Sequence, residues 1–481
     1  MINKKVMALA VAGALAAPAA AFAQASNVQI YGTFDVSINS INSAGFSTYS
    51  GNGPANVNQT GVTKFDVYNQ SSRIGFKGVE DLGNGLKAWF QAESNIAADG
   101  RQFNNTAGIG SRNTAVGLEG SFGNVLMGNW DSPYKSAEAI WNISSVGGYA
   151  GFQNLLMHNN DSTGAQPDLN CANATNAGAS TTSTASGTTT TTVITGVAPI
   201  CGQLSMSNTS FSNRMSNTLQ YWSPLFSGVQ VKLAVRANEE KNDSASAAKN
   251  SPNSWATTVN WSNANAGATF GYEKHTGWRD RGVSAPTATI VTTTAGGATV
   301  SATGTTGIAT AGLTTNNNVD DTAWTLGGNY NFGVVQIAAA MEQMKYGNNN
   351  TGTDDTSYSR KNYYLGLAAP VGNGTIRAGY TWTPGNSSCG AGVTNTAAAA
   401  AGTGFCEGGL KASAMQLGYE YNLSKRTAVY GSFAKLDNGN NTKYNFSTPV
   451  LNQTAGGGTA GSGLGTGQDV TIWGAGIRHS F

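Results

Sequence analysis

The sequence predicts an all-β fold, a sixteen-stranded antiparallel transmembrane β-barrel with short periplasmic turns and long extracellular loops. Three observations predict it. Apolar and polar side chains alternate with a period of two, short turns alternate strictly with long loops, and the chain carries an export signal at one end and an aromatic residue, Phe481, at the other. Lys4 and Lys5 form a basic n-region, Val6 to Leu15 an apolar stretch, and Ala21-Phe22-Ala23 a small-residue cleavage site, so residues 1–23 read as a signal peptide and 24–481 as one barrel domain beginning at Gln24.

Composition narrows the class. The whole chain has 27 Lys+Arg against 25 Asp+Glu, and removing the signal with its two lysines leaves the signs in balance. A chain without a basic excess gives no support for nucleic-acid binding. Charged residues are only 11% of the chain, Gly reaches 63 residues, and mean hydropathy is -0.23. No apolar run beyond the signal approaches the roughly 18 residues that a spanning helix requires. A barrel accounts for this balance, because its outward side chains meet lipid, its inward ones meet water, and the average is neutral.

Alternation identifies the strands. In Val28-Gln29-Ile30-Tyr31-Gly32-Thr33-Phe34-Asp35-Val36-Ser37-Ile38 the even positions are apolar or Gly and the odd ones polar or amphipathic. The rhythm recurs from Leu86 to Glu93 and from Val229 to Arg236, where Lys87, Lys232 and Arg236 share the face opposite the apolar stripe. That face is the aqueous interior; on lipid at mid-depth each charge would cost about 2–4 kcal/mol. Short turns fall at Glu80 to Gly85, Gly120 to Asn124, Ser223 to Gly228, Ser262 to Ala266, Asn331 to Gly333, Pro370 to Gly374 and Asn422 to Arg426. Long segments rich in Gly, Thr, Asn and Ala run over 42–71, 94–111, 131–212, 239–253, 276–321, 347–360, 383–411 and 436–468. Seven turns and eight loops make sixteen strands if the first pairs with the last, and closure removes every unpaired edge from hydrocarbon. Outward parity places Phe34, Phe90, Phe270, Tyr272, Trp324, Tyr330, Tyr380, Trp382, Tyr419, Tyr421, Trp473 and Phe481 against lipid, as interfacial girdles require. Packing between the sheets of a soluble β-sandwich is the competing explanation, which the low charge and long glycine-rich loops oppose.

Five stretches, in order, make the chain resemble the trimeric general porins of Gram-negative bacteria, of the type common in β-proteobacteria. They are Val28 to Gly32, Ser72 to Ala88, Asn213-Arg214 running to Pro224, Leu423 to Thr427, and Gly476 to Phe481. The resemblance implies a homotrimer of water-filled pores in the outer membrane, each narrowed by its third extracellular loop and passing ions and small hydrophilic solutes without a cofactor. It also implies that outer-membrane lipid surrounds the barrel and that the barrel assembly machinery recognises Phe481. The third loop begins after Trp130 and holds Asp131, Glu138, Asp161 and Asp168, acidic groups that in the family face a basic wall. Arg73 and Arg214 match wall arginines of the family, and parity turns Arg73, Lys77, Arg214 and Lys87 inward. Another wall arginine usually follows the strand-end glycine where this chain reads Gly128-Asn129-Trp130, so Asn129 departs from the pattern. A lumen charge neutralised by a neighbouring carboxylate, such as Glu93 or Glu119, would contribute little to selectivity.

The third loop also carries a Thr/Ser/Ala insert, Ala179 to Thr195, between Cys171 and Cys201. With Cys389 and Cys406 the cysteines fall in pairs inside single loops, and the oxidising periplasm favours two disulfides. Metal ligation is the alternative, but neither pair has CxxC spacing and His158, His275 and His479 are scattered. No G-x-S-x-G elbow is present, and the Gly456 to Gly467 run lacks the GK[ST] ending of a phosphate loop. The functional alternatives are a diffusion pore and, second, a substrate-specific outer-membrane channel or a barrel-based adhesin or receptor suggested by the loops at 276–321 and 383–411. Lumen faces that alternate Gly and Ala with charges read as open space, which favours the pore.

Overall fold

The computed structural model describes residues 28–44, 46–48, 57–59, 61–99, 109–146, 156–157, 180–185, 188–193, 211–237, 253–276, 289–294, 299–302, 320–348, 355–385, 411–439, 444, 446 and 468–481. Among these residues sixteen strands close into one antiparallel barrel. They are β1 (Gln29–Ser43), β2 in two segments (Val62–Asn69 and Arg73–Gly83), β3 (Leu86–Asn95), β4 (Thr114–Gly120), β5 (Gly123–Asp131), β6 (Arg214–Trp222), β7 (Val229–Arg236) and β8 (Asn253–Ser262). The ring continues through β9 (Ala266–Thr276), β10 (Asp320–Asn331), β11 (Gln336–Asn348), β12 (Asp355–Val371), β13 (Gly374–Thr383), β14 (Ala412–Asn422), β15 (Thr427–Asn438) and β16 (Val470–Ser480). Each strand pairs with its sequence neighbour, and β1 pairs with β16 from Thr33↔Ser480 to Ser43↔Val470, which seals the seam. Gly32 and Phe481 exchange backbone hydrogen bonds at 3.2 and 3.1 Å, so pairing runs to the last residue.

Burial follows the predicted parity. Along β14 the inward Ala412, Ala414, Gln416, Gly418 and Glu420 are buried while Met415, Leu417, Tyr419 and Tyr421 are exposed. Exposed apolar side chains on the outer surface belong against hydrocarbon. Outward aromatics gather in two rows. Phe34 with Phe481 and Tyr419 with Tyr421 lie toward the short turns, and Trp255 with Tyr272, Tyr363 with Trp382, and Phe433 with Trp473 lie toward the long loops. Among the described residues no helix is long and apolar enough to cross a membrane.

The seven predicted turns are in place, whereas four predicted loops are partly strand. Val62–Asn69, assigned by sequence to the 42–71 loop, pairs with the upper half of β1. A one-residue bulge at Gln70-Ser71-Ser72 separates it from Arg73–Gly83: the register reads Val36↔Asn69 above and Thr33↔Arg73 below. Ser71 takes φ 90, and Asp35 binds both ends of the break, donating its N–H to Ser72 Oγ and accepting from Gln70 N–H. The extra residue switches the inward set from even (Asp66, Tyr68) to odd (Arg73, Lys77), which breaks the rhythm that identifies a strand. β11 and β12 extend to Asn348↔Asp355, so most of the 347–360 loop is also strand. Ser180–Ala185 and Thr188–Val193, in the insert, join Thr289–Thr294 and Thr299–Ala302 in a four-stranded antiparallel sheet. The β-branched Thr run suits that pairing. Residues 1–23, the four cysteines, His158, Asp161, Asp168 and the Gly456 to Gly467 run lie outside the described residues.

Candidate functional site

The third loop turns into the barrel directly after β5. Ser132 caps α1 (Pro133–Ser136) by accepting the Lys135 N–H at 3.0 Å, and Pro133 stands at the start, where its missing N–H costs nothing. α2 (Glu138–Trp141) follows. These turns lie on inward glycines and alanines. A Cβ added to Gly327 would sit 2.5 Å from the Trp141 ring, and one on Gly418 would sit 2.9 Å from Val146. Tyr134, Phe211 and Met215 bury with Ala234, Ala256, Ala323 and Met344, while Trp141, Ile143 and Met157 bury with Ala338, Ala340, Tyr364 and Ala368. The small wall residues read from sequence as open space are therefore, over β7 to β14, the seat of this loop. Each large side chain so buried stabilises the loop by about 1.5–3 kcal/mol.

Polar bonds fix the loop backbone as well. Tyr364 Oη accepts the N–H groups of Ile143 and Ser144 at 3.3 and 3.2 Å, and Arg377 donates to the Ile143 carbonyl at 2.6 Å. Asn329 donates to the Ile140 carbonyl and Gln416 to that of Val146. Tyr134 Oη donates to Glu342 at 2.6 Å. Further along, Arg360 and Asn362 both donate to the Leu156 carbonyl at 2.7 Å, and Arg360 also donates to Tyr444 Oη. Tyr444 and Phe446, beyond β15, enter the lumen and bury with Leu156, Ile41 and Ile472.

The other side of the lumen, β2 to β7, carries charge. Glu93 accepts from Tyr31 Oη at 3.0 Å and from Arg112 Nε at 2.5 Å, with Arg73 Nε at 3.8 Å. Beside it Asp131 pairs with Lys135 at 2.9 Å and Arg214 at 3.3 Å, and accepts from Asn113 Nδ2 at 2.9 Å. Burial pushes the Lys135 ammonium below its ordinary pKa, against the pull of Asp131. Two carboxylates thus meet four basic groups, and the surplus is positive. Arg73 keeps 38% of its side chain exposed, so it still presents charge to the lumen. Lys77 lies over the Tyr31 ring at 5.2 Å and Lys232 over the Trp222 ring at 4.8 Å. Lys87 is registered between Asp81 and Glu119 near the short turns, and Arg236 opposite Thr218.

Asp131 stands on the basic wall rather than across from it, held by its own cations. Glu138 accepts from Asn142 Nδ2 at 2.8 Å within the loop. Arg112 was not among the residues singled out from sequence. It precedes β4, its N–H donates to the Glu93 carbonyl at 2.9 Å, and its own carbonyl accepts from Asn129 Nδ2 at 2.9 Å. It therefore brings a guanidinium to the neighbourhood where Asn129 departs from the family's arginine. No local signal in the sequence marks it, since its partner Glu93 lies on the preceding strand, across the 94–111 segment. Phe481, the predicted assembly signal, places its ring over Gly32, where a Cβ would lie 2.5 Å from the ring edge.

The family description "Gram-negative porin" matches residues 8–441. Outer membrane porin protein 32 of Delftia acidovorans is 27% identical over the full length of both chains. Among solved structures, an anion-selective porin from Comamonas acidovorans covers 95% of this chain and 100% of its own at 23% identity and TM-score 0.56. The trimer form of in-vitro folded OmpT, an outer membrane protein of Vibrio cholerae, covers 95% of this chain and 100% of its own at 12% identity and TM-score 0.52. With a sealed barrel that is apolar outside, polar within and charged along one wall, this chain belongs to the family of Gram-negative porins of the outer membrane.

Proposed function

We infer that this porin is a passive diffusion pore with a preference for small anions. The observation that carries the reading is the cluster of basic side chains at one side of the lumen: Arg73, Arg112 and Arg214, with Lys135 of the third loop, gather around Glu93 and Asp131. Rings and clusters of one sign set the ion preference of a pore, and low-dielectric walls strengthen their field. The relative from Comamonas is itself described as anion-selective, in keeping with this reading. Replacing Arg73 and Arg214 together by Gln should lower anion over cation permeability. The reversal potential in a salt gradient measures it, and an unchanged value counts against the proposal.

The remaining expectations complete the reading. Residues 1–23 are a cleaved signal, Cys171 pairs with Cys201 and Cys389 with Cys406, and Phe481 addresses the chain to the barrel assembly machinery. Three copies assemble in the lipid of the outer membrane. Support comes from the export signal, the oxidising compartment and the trimeric Vibrio relative. Native mass spectrometry of the detergent-extracted protein reads chain start, bridges and stoichiometry together; four free thiols or a lone chain would contradict the corresponding part.

A further inference from the structure

Three indoles line the lumen beside the basic wall, and ion passage alone gives them no task. Trp130 on β5 lies between Trp89 on β3 and Trp222 on β6, with ring centroids 5.6 and 5.8 Å apart and planes inclined at 69° and 59°. None of the three is buried away. Two are locked by their own N–H groups: Trp89 donates to Asn124 Oδ1 at 3.2 Å and Trp222 to Gln220 Oε1 at 3.1 Å. Indole surface left only partly covered in an aqueous lumen favours an occupant that covers the rest.

The charges at the ends of the arc state what that occupant is. Lys232, paired directly with Trp222, holds its ammonium 4.8 Å from the ring centroid. Lys77 pairs with Gln91, the next inward position beyond Trp89 on β3. Next to Trp130, Arg214 adds a guanidinium that is paired with Asp131. A cation would stack on indole but is repelled by these groups, and a neutral sugar would stack but gain nothing from them. A flat ring bearing a carboxylate satisfies both features.

We propose that the Trp89–Trp130–Trp222 arc with Lys232 and Lys77 is a binding patch for aromatic carboxylates within the pore. It rests on the reading of the chain as an anion-preferring channel and adds a substrate class to it. Offset or edge contacts between ring and indole supply the recognition, and the ammonium groups hold the carboxylate.

The test uses the full-length protein in a planar bilayer, with benzoate and cyclohexanecarboxylate as probes of equal charge and similar size. Chloride conductance comes first, because its absence would sink the channel reading and leave the patch to be judged by fluorescence. Benzoate should then reduce the chloride current at concentrations where cyclohexanecarboxylate leaves it unchanged, and Trp130→Leu or Lys232→Met should weaken that block about fivefold, the factor for losing one aromatic or charged contact. Tryptophan fluorescence of detergent-solubilised protein should fall on benzoate addition and respond less in Trp130→Phe, a variant that keeps an aromatic ring should Trp130→Leu not fold. Equal block by the two acids, block in Lys232→Met and both Trp130 variants matching the unaltered protein, or no fluorescence response to benzoate, would overturn the proposal.

Discussion

The two sides of the lumen are built by opposite rules. Along β2 to β7 the inward positions hold Arg73, Lys77, Glu93, Arg214 and Lys232, side chains that reach the pore. Along β8 to β14 the small Ala256, Gly271, Ala323, Gly327, Ala340, Ala368, Ala414 and Gly418 are interspersed with Glu342, Arg360 and Arg377, whose polar groups are bonded to the third loop. Every strand is alike outside, where lipid sets one requirement. Inside, the long side chains act on solutes, while the short ones make room for a segment that narrows the passage. Selectivity and loop anchoring are thereby assigned to different arcs of one wall, and substitutions in each should move different observables.

The largest effect is expected where a side chain invades the seat of the loop. Gly327→Leu puts a branched chain into the Trp141 ring, and overpacking of this kind costs about 1–3 kcal/mol. The loop should lift from the wall, with a raised and noisy single-channel conductance; a conductance equal to the unaltered protein's would show that the seat does not set pore size. Arg360→Met comes next. It removes the Arg360 hydrogen bonds to the Leu156 carbonyl, which keeps its bond from Asn362, and to Tyr444 Oη, each with a net worth of about 0.5–1.5 kcal/mol. The temperature at which the folded band is lost on a gel should fall, with ion preference unchanged. Smallest is Arg112→Gln, which should shift the reversal potential toward cations by less than the Arg73/Arg214 double variant and leave that temperature alone. A lowered temperature would blur the division between the two arcs.

The barrel was legible because lipid and water impose the two-residue rhythm directly on the sequence, and glycine-bearing turns such as Gly83-Asn84-Gly85 punctuate it. The rhythm failed at Val62–Asn69 because the bulge at Ser71 inverts inward parity, and a reader counting evens and odds loses the strand there. Arg73 and Arg214 stand out through their motifs, though at Arg214 an irregularity between Met215 and Thr218 interrupts the parity that runs through Thr218 and Gln220. Arg112 does not, because its partner Glu93 lies across an intervening loop and no local pattern joins them. The role of Gly327 and Gly418 was also hidden: a small residue looks the same in sequence whether it borders water or carries a tryptophan. The contacts of Arg360 with Leu156 and Tyr444 join segments about 200 and 84 residues apart, beyond any local reading.

The hydrogen bonds between Gly32 and Phe481 carry a consequence for how the molecule is made. The first strand out of the ribosome waits for the last, so the ring cannot be finished while synthesis continues. Without β16 the sheet would keep two open margins, along β1 and β15, that hydrocarbon cannot satisfy. A version without β16 should therefore not persist in the bilayer, however well the other fifteen strands pair.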